Sequence, residues 1–168
     1  MERCKWASEE NLIKYHDNEW GIPVHDDEKL FEMLTLEGAQ AGLNWLTILK
    51  KREGYRKLFH NFNIEKVSKM SDSDKEKLIN NSEIIRNRLK ITSTIENAKA
   101  ILEIKKEFGS FDKYVWSFVN NKQIKNNFNN LKELPPSTEI SDKMSLDLKK
   151  RGFKFVGTTI CYAFMQAV

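Results

Sequence analysis

The sequence predicts an all-α fold, and three observations lead to that prediction. Along nearly the whole chain, apolar residues recur every three to four positions, as in amphipathic helices. No segment alternates apolar and polar residues between turn residues in the manner of a half-buried strand. Only 3 prolines occur in 168 residues, so little interrupts the helices. We therefore expect about nine short helices in a single domain that covers residues 1–168.

Polar residues mark several helix starts. Ser8 is a suitable N-cap for the first helix, and Asp26 or Asp27 starts the second. Ser73 with Glu76 has the capping-box pattern. In chain order the predicted helices cover about 9–18, 26–42, 45–52, 55–60, 73–80, 86–108, 110–118, 141–150 and 157 to the end.

Glycines and polar stretches mark the remaining boundaries. Gly54 separates the third predicted helix from the fourth, and Gly109 ends the long helix. Ser141 opens the eighth helix. The segment 120–136 is polar and rich in asparagine, so we expect it to be irregular.

Composition is that of an ordinary soluble protein, with 40% hydrophobic and 31% charged residues. No stretch is long and apolar enough to span a membrane, and residues 1–6 do not begin a signal peptide. Cys4 and Cys161 are too few for a disulfide framework. A cytoplasmic location, in a reducing compartment, is the expectation.

The net charge of +4 permits nucleic-acid binding without requiring it. Two basic clusters are present: residues 50–52, and residues 149–151 with Lys154. Each is either a solvated helix face or part of a nucleic-acid surface.

Near the C-terminus the sequence predicts a helix–hairpin–helix motif. One helix ends at Gly152, a short turn follows, and Gly157 opens the next helix. Free N–H groups at that second start, beside Thr158, Thr159 and the charge of Lys154, suit a DNA phosphate. A plain helical hairpin, which needs only the first glycine, is the alternative.

Glu37 lies on an apolar stripe of the second predicted helix. Its spacing from Leu30, Leu34 and Ala41 places all four residues on one face. An unpaired carboxylate in a core is costly, so such an acid is either ion-paired or functional. Spacing alone leaves both readings open.

Aromatic residues surround Glu37 in the sequence. Trp6, Tyr15 and Trp20 precede it and Trp45 follows it, so three of the 4 tryptophans fall within the first 45 residues. A flat aromatic pocket with an acid at its floor suits a flipped purine. Aromatic residues of a helical domain are otherwise core.

With these motifs, the chain resembles the bacterial 3-methyladenine DNA glycosylase I family of the helix–hairpin–helix superfamily. The likeness covers essentially the whole chain. The matching stretches, in order, are 1–6, 15–23, 36–45, 49–52, 115–118 and 149–166.

The resemblance implies base-excision repair: an enzyme that hydrolyses the N-glycosidic bond of 3-methyladenine in double-stranded alkylated DNA and leaves an abasic site. It implies that Glu37 accepts hydrogen bonds from the flipped base and that Tyr15 adds a polar contact. Trp45, Trp6 and Trp20 are implied to form the aromatic wall.

The same resemblance implies how DNA is held. Gly42 and Leu43 would lie at the DNA junction, with the leucine as an apolar wedge. The hairpin from Gly152 to Thr159 would hold the backbone, and a monomer is expected. A non-catalytic helix–hairpin–helix module that binds DNA or senses lesions is the alternative, and a purely structural helical protein is the third reading.

Little catalytic apparatus is needed for this reaction, and no cofactor is required. Alkylation at N3 makes the base cationic and a good leaving group, so binding and orientation supply most of the acceleration. The Glu37 carboxylate and the indoles favour the cation over neutral adenine. Residues 158–161 offer no acid where other members of the superfamily carry an aspartate, which places more weight on Glu37.

The resemblance also implies a structural zinc held by a Cys and a His near each terminus. Cys4 and His16 match the first pair. The sequence stops at Val168 without the second pair, whereas a structural site normally has four ligands. Either the tail lies outside this sequence or this member has lost the metal, so zinc is doubtful here.

Overall fold

A computed structural model describes residues 3–128 and 133–168, and in these ranges it is all-helical, which confirms the predicted fold class. A short 3₁₀ turn, His60–Phe62, lies between the third and fourth helices. The nine α-helices of the described residues are α1 (Glu10–Asn18), α2 (Asp27–Gln40), α3 (Trp45–Leu58), α4 (Ile64–Ser68), α5 (Asp72–Ile79), α6 (Arg88–Phe108), α7 (Phe111–Ser117), α8 (Glu139–Lys150) and α9 (Thr158–Ala167).

Within the described ranges, every helix is too short or too polar to cross a membrane.

Helix α2 is the central element of the fold. All residues from Leu30 to Ala39 are buried, so the helix is covered on every side. It contacts α3, α6, α7 and α9. Asp26 caps it by accepting a hydrogen bond from the backbone N–H of Lys29 at 2.7 Å, as the sequence predicts. Polar side chains between Leu30 and Ala39 are therefore surrounded by protein on every side of the helix.

Helix α3 corrects the predicted break at Gly54. Residues 45–58 form one continuous helix. A Cβ at Gly54 would lie 2.3 Å from the carbonyl oxygen of Glu83, in the segment before α6. The glycine is needed for this close approach and does not stop the helix.

In the same region of the chain, one predicted helix start is shifted and two elements were not predicted. The capping box of α5 pairs Ser71 with Asp74, two residues before the predicted pair Ser73 and Glu76. The sequence contains both overlapping patterns, and the helix begins at the earlier one. Helix α4 and the 3₁₀ turn before it were not predicted.

Two further caps differ from the prediction. Glu9, not Ser8, is the N-cap residue of α1, and no side chain caps that end. Helix α8 begins two residues before Ser141, because Thr138 is its cap and Ser141 is the third helical residue of the capping box. The predicted end of α6 at Gly109 (φ +88°) and the predicted start of α7 near Ser110 are confirmed.

The turn between α8 and α9 is fixed to the rest of the protein. Gly152 has φ +89°, and the Phe153 N–H donates to the Leu148 carbonyl at 3.0 Å, which closes the end of α8. Asn97 of α6 accepts from the Lys154 N–H at 2.8 Å and donates to its carbonyl at 3.0 Å. The hairpin thereby has a defined position against α6.

The hairpin also packs on α2. A Cβ at Gly38 would lie 3.2 Å from the Cβ of Phe155. This close contact places the hairpin one residue away from Glu37 along α2.

Candidate active site

Glu37 is a buried acid with no hydrogen-bond partner among the described residues. Its side chain belongs to the fully covered part of α2, and the residue is 6% exposed. Burial raises the pKa of Glu37 from 4.5 to about 8. A structural ion pair, one of the two readings left open by the sequence, is not present in the described part of the chain. The functional reading is the one that explains an unpaired buried acid.

Tyr15 lies beside this acid, and Trp45 packs against Tyr15. Their ring centroids are 5.3 Å apart at an interplanar angle of 59°. Burial, and next the negative charge of Glu37, raise the pKa of Tyr15, so its hydroxyl stays protonated. The Tyr15 hydroxyl and the Trp45 Nε1 are both buried without a partner in the described residues. Three polar groups thus converge on one place with unused hydrogen-bonding capacity, which is what a ligand pocket requires.

Trp6 extends this aromatic group, and Trp20 stands behind it. The Trp6 ring is 6.3 Å from Tyr15 and 5.4 Å from Trp20. Trp20 stacks on His16 at 5.6 Å. Among the described ring contacts, Trp20 meets Trp6 and His16 but neither Tyr15 nor Trp45. The structure therefore brings all four predicted aromatic residues into one contact chain, with Trp45 at one end and Trp20 at the other.

A buried ion-pair network joins the helices that carry the pocket. The guanidinium of Arg52 on α3 binds Glu32 of α2 through Nε at 2.6 Å. It also binds both carboxylate oxygens of Glu19, at the end of α1, at 2.9 and 2.8 Å. Burial opposes the charge of Glu19, but the hydrogen bonds and charges of Arg52 and Lys29 prevail and lower its pKa to about 2. The network fixes α1, α2 and α3 relative to one another.

Arg52 corrects one sequence interpretation. It was grouped with Lys50 and Lys51 as a candidate nucleic-acid cluster, yet it is 6% exposed and fully engaged. Its spacing from Ile48 and Tyr55, which are the other buried residues of α3, is the helical stripe that identified Glu37. Helical spacing, applied to α3, would therefore have predicted that Arg52 is buried.

The loop between α2 and α3 is open toward solvent. Gly42 has φ +76°, and a Cβ there would meet nothing within 4 Å. Leu43 is 43% exposed, although it is a large apolar residue. Asn44 caps α3 by accepting from the Thr47 N–H at 2.8 Å. The loop therefore exposes Leu43 to solvent between α2, which carries Glu37, and α3, which begins at Trp45.

The start of α9 presents free backbone N–H groups, with Lys154 and Thr159 exposed nearby. A Cβ at Gly152 or Gly157 would meet nothing within 4 Å, so the hairpin backbone is accessible to a partner. The Thr158 hydroxyl is engaged inside the protein, with Ser141 at 2.9 Å and with Asp142. Its contribution to an anion site is therefore limited to its backbone N–H.

Cys4 and His16 lie together at the N-terminus. The Cys4 N–H donates to the His16 Nε2 at 3.4 Å, and the His16 Nδ1 is 2.9 Å from a carboxylate oxygen of Asp17. In the ranges 3–128 and 133–168, no three His, Cys, Asp or Glu side chains are grouped to hold a metal ion. The residues present do not make up a four-ligand zinc site.

A second cleft, of about 380 Å³, lies between α7, α8 and α9. Its lining is mostly apolar and includes Trp116, Met165 and Tyr162. The described residues that line it include no Asp or Glu, whereas the Glu37 pocket combines an unpaired acid with aromatic rings. We therefore take the Glu37 pocket as the candidate active site.

Comparison with known proteins agrees with this choice. A family model described as methyladenine glycosylase matches residues 6–168. DNA-3-methyladenine glycosylase 1 of Escherichia coli (strain K12) is 55% identical over 168 residues, which cover 99% of this chain and 90% of that protein.

Solved structures give the same result. A crystal structure of 3-methyladenine DNA glycosylase I is 51% identical, with a TM-score of 0.95, over 99% of this chain and 92% of the other. A variant of 3-methyladenine DNA glycosylase I in complex with 3-methyladenine is 35% identical, with a TM-score of 0.95, over 99% and 90% of the two chains. By sequence over nearly its whole length and by fold, the chain belongs to the methyladenine glycosylase family.

Proposed function

We propose that this protein is a DNA glycosylase that releases 3-methyladenine from alkylated double-stranded DNA and leaves an abasic site. The observation that carries the proposal is the Glu37 carboxyl, which is buried without a partner beside the unsatisfied polar groups of Tyr15 and Trp45. Membership of the methyladenine glycosylase family supports it.

The reaction needs little from the protein beyond binding. The base in DNA carries a positive charge, and the bond between its N9 and the sugar C1′ breaks with the electron pair going to N9. The base leaves neutral, and water adds to C1′ and loses a proton. Because the leaving group requires no protonation, orientation and charge stabilisation account for the catalysis.

Glu37 is the group that selects the cationic base. Its pKa of about 8 belongs to the free protein, where burial disfavours the charge. A cation placed beside it favours the carboxylate, so entry of the charged base drives proton release from Glu37. Neutral adenine gives no such compensation. The rings of Trp45 and Trp6 add a cation–π preference for the same base.

DNA is held on both sides of the pocket. Leu43, exposed on its open loop, fills the space left by the flipped nucleotide. The free N–H groups at the start of α9, with Lys154 and Thr159, bind a backbone phosphate. We infer that the protein acts as a monomer in the cytoplasm, because all these groups come from one chain and the substrate is the genome.

Base release uses this chain's own residues, and no step depends on a metal. Cys4 and His16 supply at most half of a zinc site. Metal analysis of the purified protein measures whether zinc is bound, and base release is expected to be the same before and after dialysis against a chelator; loss of base release with the metal would contradict this.

The deciding experiment is base release from methylated DNA, scored together for 3-methyladenine, 7-methylguanine and hypoxanthine. We expect 3-methyladenine from the wild-type protein and its loss in Glu37→Ala, with folding intact by circular dichroism. DNA binding without base release by the wild-type protein would instead favour the lesion-sensing alternative. Full turnover by Glu37→Ala would remove the role assigned to Glu37.

A further inference from the structure

Leu89 is an apolar side chain in an unusual place. It is 71% exposed, the highest value for a large apolar residue in the described part of the chain, and it is the second residue of α6. Single exposed leucines are common and need no explanation by themselves. What distinguishes this one is the loop beside it.

The first turn of α6 is bonded to the loop that carries Leu43. The Lys90 ammonium donates to the carbonyl of Ala39 at 2.8 Å and to that of Ala41 at 2.6 Å. These are carbonyls at the end of α2, which lack partners within the helix. Ala41 is two residues before Leu43, so two outward-pointing leucines come from adjacent, mutually bonded segments.

The next turns of α6 reach the hairpin through buried contacts. Ser93, one helical turn beyond Leu89, lines a narrow cleft together with Gly38 and Phe155. Asn97, a further turn along, holds the backbone of Lys154. Because Ser93 and Asn97 are buried, they join α6 to the hairpin from inside, while Lys90 joins it to the Leu43 loop, so the three segments are neighbours on one face of the protein.

The charge of this face matches a nucleic acid. Lys50, Arg86 and Lys154 are exposed, and none has a carboxylate partner among residues 3–128 and 133–168. Glu83, the acid nearest Arg86 in sequence, is paired with Lys57 at 3.1 Å. Arg88, next to Leu89, is paired with Glu76, but the unpaired cations on α3, before α6 and in the hairpin favour a polyanion over a second copy of the same basic face.

We propose that Leu89 is a second apolar wedge, which enters the base stack beside Leu43 and meets the base of the opposite strand. The inference rests on the proposed function, in which Leu43 fills the gap left by the flipped nucleotide. A second side chain at the same step then has the unpaired partner base as its neighbour. Wedges of this kind offset unstacking by apolar contact and stabilise the kinked duplex.

The test is Leu89→Ala, with Leu146→Ala as the matched control. Leu146 is 59% exposed and belongs to α8, which contributes nothing to the cleft between α2, α6 and the hairpin. Both proteins are titrated with a duplex that carries a stable abasic-site analogue and 2-aminopurine opposite it. For Leu89→Ala we expect about tenfold weaker binding and loss of most of the fluorescence rise that unstacking produces.

The dependence of binding on salt separates a wedge from a phosphate contact. Leu89→Ala is expected to leave the slope of log K against log salt unchanged, because no counterion release is lost. Leu146→Ala is expected to behave as wild type in every measurement. Unchanged affinity and fluorescence in Leu89→Ala would overturn the inference, as would a change in oligomeric state caused by this substitution.

Failure of the wedge and failure of the proposed function give different results. Binding of free 3-methyladenine by the wild-type protein tests the base pocket alone, and Leu89→Ala is expected to retain it. If the wild-type protein binds no free base, the proposed function fails. If it binds the base while Leu89→Ala binds duplex normally, only the wedge fails.

Discussion

The rings of Tyr15 and Trp45 meet 5.3 Å apart, and each brings a buried polar atom that has no partner in the described residues. Two such unsatisfied atoms would normally cost stability, since buried donors and acceptors are nearly always satisfied. Here Tyr15 lies beside Glu37, a third polar group without a partner. The pocket is therefore under-satisfied in the free protein and is completed by a ligand that offers matching groups.

Glu37 is expected to make the protein less stable as the pH rises. Its pKa is about 8 when folded and near 4.5 when unfolded, so the folded state holds the extra proton between these values. Stability contributed by the neutral form is complete below pH 4.5 and is lost as the pH rises through 8. The loss amounts to about 5 kcal/mol, at roughly 1.4 kcal/mol for each pH unit between the two pKa values.

Glu37→Gln removes this dependence. Its free energy of unfolding, measured in urea, is expected to exceed the wild-type value by an amount that grows between pH 5.5 and pH 8.5. Glu65→Gln, at an exposed position on α4, is the control and should show no such trend. A constant difference between Glu37→Gln and wild type across this range would rule out the raised pKa.

The rate of base release is expected to depend on pH through the same group. The free enzyme needs the carboxylate, so kcat/KM should rise with pH toward a plateau above about 8. The bound cation lowers the pKa of Glu37, so the corresponding limb of kcat should lie at lower pH. Single-turnover release of labelled base measures both, and coincident limbs would show that the bound base does not act on Glu37.

Leu43→Ala is expected to weaken DNA binding without affecting the base pocket. Loss of an apolar side chain that enters the duplex costs about 1–2 kcal/mol, or roughly tenfold in Kd. Fluorescence anisotropy with an abasic-site duplex measures the loss, and calorimetry with free 3-methyladenine provides the control. An equal loss for both ligands would mean that Leu43 supports the pocket instead of the DNA junction.

Arg52→Met is expected to destabilise the protein by about 3 kcal/mol, because Glu32 stays buried with less compensation for its charge. The comparison is Lys14→Ala, which breaks the exposed pair with Glu10 and should leave the free energy of unfolding close to the wild-type value. Urea unfolding of both variants checks the contrast. If the Arg52 variant unfolds like wild type, the network does not hold the three helices together.

The pattern of apolar residues was sufficient for much of the fold. The helical period identified α2, α6 and α9, because apolar residues that recur every three to four positions lie on one side of a helix whatever it packs against. The helical period also placed Glu37 on an apolar stripe. Arg52 has the same spacing on α3, but its charge was given more weight than its position. The prediction for Gly54 was wrong because sequence alone does not distinguish a glycine that ends a helix from one that allows a neighbouring backbone to approach closely.

By itself, the sequence determined the fold class, the family and the position of the buried acid, because each follows from local spacing or from motifs in fixed order. Only the tertiary structure decided that Glu37 has no partner among the described residues, that Trp20 makes its ring contacts with Trp6 and His16 instead of Tyr15 and Trp45, and that Leu89 lies next to the Leu43 loop. These are relationships between segments distant in the chain. They depend on how whole helices pack, which no single segment encodes.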